Sequence, residues 1–326
     1  MKIYNDYKVE ILPVKMQLKL EELRIERNFN VKEVLKSKIQ KLNKYFSQYN
    51  LSTAVVGVSG GVDSALVIAI LKAASEVENS SIKNIIPVTI PAYESSGVTG
   101  QKESVQRAKE LAKEFSLELV ELDLSSPVIS LSKMIEKTIN KKSDDWAEGQ
   151  LTPYMRTAAL YYYTTLYTQH GNKAVLMGTT NADEGQYIGY FGKASDGMTD
   201  LQLISDLHKS EVYAMAEYLN VPKSILLVPP TGDMYDGRLD EEVFGAPYGF
   251  IELYSYYLNF NENEKEIFVQ DLKFSNELDI FENLKNNVET MHRYNKHKYL
   301  GNSPAVHLDV LDAKVKNGWK YSVYEE

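Results

Sequence analysis

The stretch most able to do chemistry is Val58-Ser-Gly-Gly-Val-Asp-Ser-Ala65, set between a β-branched run and an apolar run. Backbone N–H groups in a glycine turn at a helix N-terminus cradle an anion, and the helix dipole reinforces them. Gly60 and Gly61 allow phosphate oxygens to approach the backbone closely. Ser59 and Ser64 add hydroxyl donors, and Asp63 can hold Mg2+ on the same phosphates. No lysine follows the glycines, so this is not the G-x-x-x-x-G-K-[ST] loop, whose lysine reaches the β and γ phosphates. A pyrophosphate grip without that lysine suits cleavage between the α and β phosphates.

The surrounding pattern supplies the elements that must position this loop. Strand-like segments at 54–58, 85–90, 117–122 and 174–177 alternate with helical ones at 65–74, 103–115 and 156–169. Such alternation predicts an α/β fold, a doubly wound parallel sheet flanked by helices. Residues 1–50 read as an N-terminal appendage, with an edge strand at 8–14 that tolerates Pro13 and an amphipathic packing helix at 31–49. Residues 51–310 form the catalytic unit and 311–326 a C-terminal tail. Beyond Asp206 the chain reads as mainly helix and loop, with turns at Pro229-Pro230 and Gly245-Ala-Pro247. The charged run at 261–285 reads as a solvated helical region.

Composition narrows the function classes. The 326 residues are 44% apolar and 25% charged, an ordinary globular balance. A net charge of −9 counts against nucleic-acid binding, which is driven by phosphate neutralisation. No apolar run approaches the length of a membrane helix and the start lacks a secretory h-region, so a cytoplasmic location is expected. The chain has no cysteine. That removes disulfides, thiolate metal sites and any cysteine nucleophile.

The SGGVDS loop resembles the signature of the ATP pyrophosphatases, which adenylate an acceptor oxygen and release pyrophosphate. Within that superfamily, later motifs resemble those of the NAD synthetases. They are Met177-Gly-Thr-Thr-Asn-Ala-Asp-Glu184, Gly189-Tyr-Phe-Gly-Lys193, Ser195-Asp-Gly197 with Asp200, and Asp206-Leu-His-Lys-Ser-Glu-Val212. Pro229-Pro-Thr231, Asp240-Glu241, Pro247-Tyr248 and His297-Lys298 continue the series. The resemblance runs from about residue 53 to 310. It implies that Ser59, Gly60, Gly61, Asp63 and Ser64 cradle ATP, with Thr179 a further contact. Asp63 and Glu184 would hold Mg2+, and Lys209 and Thr231 the reacting phosphates. Asp196 would hold and deprotonate ammonium, while Arg156, Lys193, Asp200, His297 and Lys298 would face deamido-NAD. It further implies a homodimer that takes ammonia, ATP and deamido-NAD. Two carboxylates and a lysine suit charge dispersal at the α-phosphorus, and an aspartate suits proton removal from ammonium.

The chain departs from the family pattern at several positions. Gln150 and Tyr154 stand where the family has asparagine and arginine, Met198 where it has glycine, Gly192 where it has threonine, and Tyr299 where it has arginine. These positions border the nucleotide acceptor in the family. The alternative reading is therefore the same amidating chemistry on a different carboxylate. A tRNA-modifying enzyme is disfavoured by the acidic charge, the absent cysteines and the lack of a basic stripe. A non-catalytic nucleotide-binding module is disfavoured by the retention of Asp63 and Glu184. His170, His292 and His307 match no motif and read as structural or exposed. Tyr161-Tyr-Tyr163 and Tyr167 read as a packing or dimer face.

Overall fold

The computed structural model describes residues 12–93, 101–232, 237–299, 305–312, 315 and 322–324. Helices α1 (Val14–Arg27) and α2 (Val31–Gln48) precede β1 (Thr53–Gly57), α3 (Val62–Ser75), β2 (Asn84–Thr89) and α4 (Gln101–Glu114). Then come β3 (Val120–Glu121), α5 (Ser125–Ile139), α6 (Asp145–Gln169) and β4 (Ala174–Gly178). A π-helical turn (Glu184–Ile188) leads to β5 (Leu201–Gln202), α7 (Lys209–Tyr218), α8 (Lys223–Leu226) and α9 (Asp240–Phe244). Helices α10 (Tyr248–Asn259), α11 (Glu262–Phe274) and α12 (Leu278–Asn295) follow. A 3₁₀ turn (Lys296–Tyr299), β6 (Val306–His307) and β7 (Ser322–Val323) complete the described elements.

The described strands form one parallel sheet in the order β3-β2-β1-β4-β5-β6-β7. Strand β1 is central, with Thr53 level with both Asn84 and Ala174. Its period-two pattern is buried on both sides, as a parallel sheet covered by helices requires. Ala54 and Val56 pack with α2, α3 and α7. Val55 points the other way, to Ile86, Val88 and Leu176 beneath the Tyr161 and Leu160 side chains of α6. The apolar run from Ala65 to Leu71 is buried almost completely because α3 lies between the sheet and the helices α2 and α7. The sheet order reverses direction between β1 and β4, and in such sheets the crevice outside the strands' carboxyl ends is where ligands bind.

A second core gathers α1, α9, α10, α11 and α12 around Phe250, Leu253, Tyr254 and Phe281. The 261–285 region is thus two helices, each burying one apolar stripe, with Phe268, Leu272, Phe281 and Leu284 inside. Residues 8–11 of the expected edge strand lie outside the described residues, and Val14 begins a helix. Helix α6 starts eleven residues before the expected 156. Its N-cap Asp144 accepts from Ala147 N at 2.8 Å, and Pro153 is carried inside the helix. The histidines outside the motifs serve structure. His292 stacks on Tyr187 at 4.0 Å, and His307 Nδ1 pairs with Ser205 Oγ at 2.7 Å.

Candidate active site

A cavity of about 320 Å³ opens at the carboxyl ends of β1 and β4. Its wall includes Ser59, Gly61, Asp63, Ser64, Arg156, Thr179, Glu184, Asp196, Lys209 and Thr231, ten of the residues expected from the sequence. Gly61 is the N-cap of α3, and no described side chain caps that helix, which leaves its N-terminus facing the cavity for an anion. Ser59 Oγ accepts from Gly61 N and lies 3.3 Å from Ser64 Oγ, so both hydroxyls are held at the mouth of the turn. Gly60 has φ +79°, and a Cβ there would meet Ser104 O at 2.4 Å. Only glycine fits that close approach. Its carbonyl accepts from Arg107 Nε at 2.9 Å, which ties the loop to α4.

At the cavity floor three carboxylates surround one ammonium. Lys209 Nζ donates to Asp63 Oδ2 at 2.6 Å and to Glu184 Oε1 at 3.0 Å. The Tyr248 hydroxyl lies 2.7 Å from Glu184 Oε1 and 2.9 Å from Asp240 Oδ2. Tyr190 donates to the other Asp240 oxygen at 3.1 Å. Lys209 Nζ also sits 4.8 Å from the centroid of the Tyr248 ring. Asn181 organises the carboxylates, donating to Asp63 Oδ1 at 2.9 Å and accepting from Glu184 N at 3.1 Å. Behind the lysine, Asp183 accepts from Lys209 N and pairs with His208 Nδ1, both at 2.7 Å.

The electrostatics follow from this crowding. Burial pushes the Glu184 carboxyl up to about 7; the Lys209 ammonium pulls it back, while Asp63 and Asp240 push it further. Burial likewise raises Asp240, against the opposing pull of Lys209. Burial disfavours the charge on Lys209, yet Asp63, Glu184 and Asp240 overcome it and hold its pKa well above the usual lysine value. When fully ionised, three carboxylates against one ammonium leave a surplus of two negative charges. Asp63 and Glu184 already converge on one cation, the lysine itself, which shows that both can face a single positive centre. Hard oxygen donors with this surplus fit Mg2+. Among the described residues no cluster of three or more side chains is arranged to hold a metal unaided. Phosphate oxygens and water would therefore complete the shell.

Other expected residues stand away from the cavity wall. Lys193 and His297 are exposed, and His297 Nδ1 contacts Tyr294 O at 3.0 Å. The Asp200 carboxylate accepts from Leu176 N at 2.7 Å and its carbonyl accepts from Val306 N at 2.8 Å. In this structure Asp200 joins β4 to the neighbouring strands of the sheet. Lys298 Nζ donates to Gly189 O and Phe191 O at 2.9 and 2.6 Å, bracing the segment that leads to Asp196. Its burial lowers its pKa to about 8, with Asp196 opposing the shift. Tyr154 and Met198 are exposed, and Met198 borders the cavity. The side chain of Tyr299 lies outside the described residues. Sequence reasoning gave Asn181, Asp183, Tyr190, Asp240 and Tyr248 a motif but no role. Asn181 and Asp183 lie inside the quoted Met177–Glu184 motif, so their position was the available signal.

No described helix is long and apolar enough to cross a membrane. The chain is 32% identical over 199 residues to the NH(3)-dependent NAD(+) synthetase of Methanococcoides burtonii, covering 61% of this chain and 69% of that protein. Its fold resembles that of an NMN synthetase from Francisella tularensis at a TM-score of 0.66 and 21% identity, over 83% of this chain and 96% of that one. It also resembles an NH3-dependent NAD synthetase from Campylobacter jejuni at a TM-score of 0.58 and 21% identity, with the same coverage of 83% and 96%. The NAD synthase family profile matches residues 33–300, a span that holds the glycine loop, Glu184, Lys209 and the Asp240–Tyr248 pair alike, and the chain belongs to that family.

Proposed function

We propose that the chain amidates the nicotinate carboxylate of deamido-NAD with ammonia, releasing AMP and pyrophosphate through an acyl-adenylate. The observation that carries this reading is the convergence of Asp63, Glu184 and Lys209 beside a helix N-terminus whose glycine loop has no P-loop lysine. Ser59, Gly61 and Ser64 hold the pyrophosphate portion of ATP, with Gly60 setting the turn and Thr179 and Thr231 at the walls. Mg2+ held by Asp63 and Glu184 would supply charge neutralisation at the phosphates. Lys209 places a permanent positive charge on the same floor, where negative charge develops as the carboxylate oxygen attacks the α-phosphorus. Asp196, exposed on the cavity rim, takes the proton from ammonium so that neutral ammonia attacks the acyl carbon and AMP leaves. Arg156, whose Nε donates to Ile90 O at 2.8 Å, lines the cavity and is proposed to meet the acceptor, as are Lys193, Asp200, His297 and Lys298.

A second reading keeps the chemistry and changes the carboxylate. Met198 at the cavity border and Tyr154 on the exposed face of α6 support it, and so does the NMN synthetase described for the Francisella fold relative. A homodimer is proposed as well, supported by Met134, Ile135, Ile139, Trp146, Tyr154 and Tyr162 exposed on α5 and α6. The proposed setting is the cytoplasm. The test is mass spectrometry of products after incubation with ATP, Mg2+, ammonium and ¹⁸O-carboxylate-labelled deamido-NAD or nicotinate mononucleotide. AMP carrying ¹⁸O, with pyrophosphate, is expected from the preferred acceptor. ADP and orthophosphate would overturn the adenylation mechanism.

A further inference from the structure

Helix α1 lies ahead of the region matched by the family profile, yet it delivers two arginines into the neighbourhood of Lys209. Arg27 is 8% exposed in its side chain and forks onto the Glu211 carboxylate, with Nε at 2.5 Å and Nη2 at 3.0 Å. The same Nη2 donates to Asp206 O at 2.8 Å. Glu211 Oε2 in turn accepts from His208 N at 2.9 Å, which closes the capping box of α7 directly before Lys209. Arg24, one turn earlier on the same face, forks onto Glu252, whose Oε2 also accepts from Ser210 Oγ at 3.0 Å. The two forks therefore bracket Lys209 through His208 on one side and Ser210 on the other. The far end of α1 is tied down too. Lys15 N and Met16 N donate to Glu277 at 2.9 and 3.1 Å, at a helix start whose own N-cap, Pro13, offers no side chain.

We propose that α1 is a clamp on the N-terminus of α7, and that Arg27 and Arg24 are positioning residues for the Lys209 ammonium. A surface ion pair would contribute little and hold nothing in place. These pairs are bidentate, and Glu211 and Glu252 are 6% and 2% exposed in their side chains, so each carboxylate depends on its guanidinium. Loss of Arg27 leaves Glu211 buried without a cation. The carboxylate then turns outward and releases the His208 N–H that begins α7, or takes a proton and accepts from that N–H more weakly. The first turn of α7 then lacks its Glu211 bond, and Lys209 is held by the Asp183 bond to its N–H and by the Ser210–Glu252 tie. The ammonium then no longer sits where Asp63 and Glu184 converge. The inference rests on Lys209 being the phosphate-facing lysine of the proposed reaction.

The experiment compares the full chain with Arg27→Ala, Arg27→Lys, Arg24→Ala and Glu22→Gln, the last an exposed residue of the same helix whose carboxylate pairs with Lys19. Circular dichroism and thermal melting establish folding. Steady-state kinetics give kcat and the KM of each substrate, and calorimetry gives the affinity for α,β-methylene-ATP. For Arg27→Ala we expect kcat to fall ~30-fold and the analogue to bind ~10-fold more weakly, with the acceptor KM unchanged within about twofold. Millimolar guanidinium should restore part of both losses, because it refills the space beside Glu211. Arg27→Lys keeps a charge without the fork and should fall between, so it carries the test if the alanine variant does not fold. Glu22→Gln should match the parent. A folded Arg27→Ala or Arg27→Lys variant with parental kcat and analogue affinity would overturn the clamp. If the parent amidates no nicotinate nucleotide, the functional reading fails by itself, and the analogue affinity still decides the clamp.

Discussion

Tyr248→Phe removes a single hydroxyl while keeping the ring that faces the Lys209 ammonium at 4.8 Å. That hydroxyl has one proton and two carboxylate neighbours, Glu184 Oε1 at 2.7 Å and Asp240 Oδ2 at 2.9 Å. A hydrogen bond to a charged group contributes about 1.5–3 kcal/mol. Shared over two acceptors, about 1.4 kcal/mol falls on Glu184, which corresponds to about one pKa unit. Burial already pushes Glu184 up to about 7, and the Tyr248 hydroxyl is one of the groups holding it down. Without that donor the carboxyl rises further above its ordinary range. A rise of about one unit lowers its ionised fraction near neutral pH severalfold. In the proposed reaction only the ionised form would serve Mg2+, so kcat/KM for MgATP should fall severalfold near pH 7 and recover as the pH approaches ~9. The sign is fixed: a raised carboxyl pKa moves the acid limb to higher pH. ATP–pyrophosphate exchange without ammonia is the suitable assay, since it removes the titration of ammonium from the profile. A limb that stays put, or moves to lower pH, would refute the assignment of Tyr248 to Glu184.

Asp63→Asn and Glu184→Gln should each lower kcat by ~10²-fold or more in folded protein, and calorimetric titration should show weakened Mg2+ dependence of ATP binding. A tenfold effect or less from both would mean the metal ligands are misassigned. Burial lowers the pKa of His208, but Asp183, Glu252 and Glu211 together outweigh burial and leave it raised, so its contribution to stability is full below about pH 6.5 and is lost as pH rises through the elevated folded value. Denaturant titrations of His208→Gln at several pH values should lack that slope; an unchanged slope would assign it to another group. With no cysteine in its sequence, the purified chain should use ammonium and form no product from glutamine when ammonium is scavenged enzymatically. Efficient glutamine-dependent turnover would exclude this nitrogen source.

The glycine loop was legible because its chemistry is local. Five neighbouring residues, a strand before them and a helix after them contain the whole of the proposed anion cradle. The central strands were legible for the same reason: Ala54 and Val56 alternate with Val55 over a span that periodicity can detect. The outer strands were not, since β5, β6 and β7 are two residues each and carry no period. Gly149 and Pro153 disguised the start of α6, whose packing tolerates both. Asp200 shows a different limit. Its place in a motif suggests a substrate contact, and its carboxylate also accepts from Leu176 N within the sheet, a role that the motif does not announce. Type and spacing cannot separate an acid that faces a ligand from one that holds the strands that build the pocket.

The floor of the site could not be read locally for an electrostatic reason. Asp63 and Glu184, each beside a single lysine, would suggest balanced ion pairs. Asp240, brought in by α9, and Tyr248, at the start of α10, change the sum by adding a third charge and one shared proton. Burial then makes the surplus costly, and Glu184 responds by titrating near neutrality instead of near 4.5. A divalent cation bound with ATP would relieve the same surplus, so the residues that strain the free site are those that favour the bound one. The second core thus does more than cover the sheet. By carrying Asp240, Tyr248 and Glu252 toward α7, it sets how strongly the floor attracts positive charge, and α1 braces the helix that bears the lysine. Substitutions far from the glycine loop should therefore alter MgATP affinity through α7, α9 and α10 before they alter the fold.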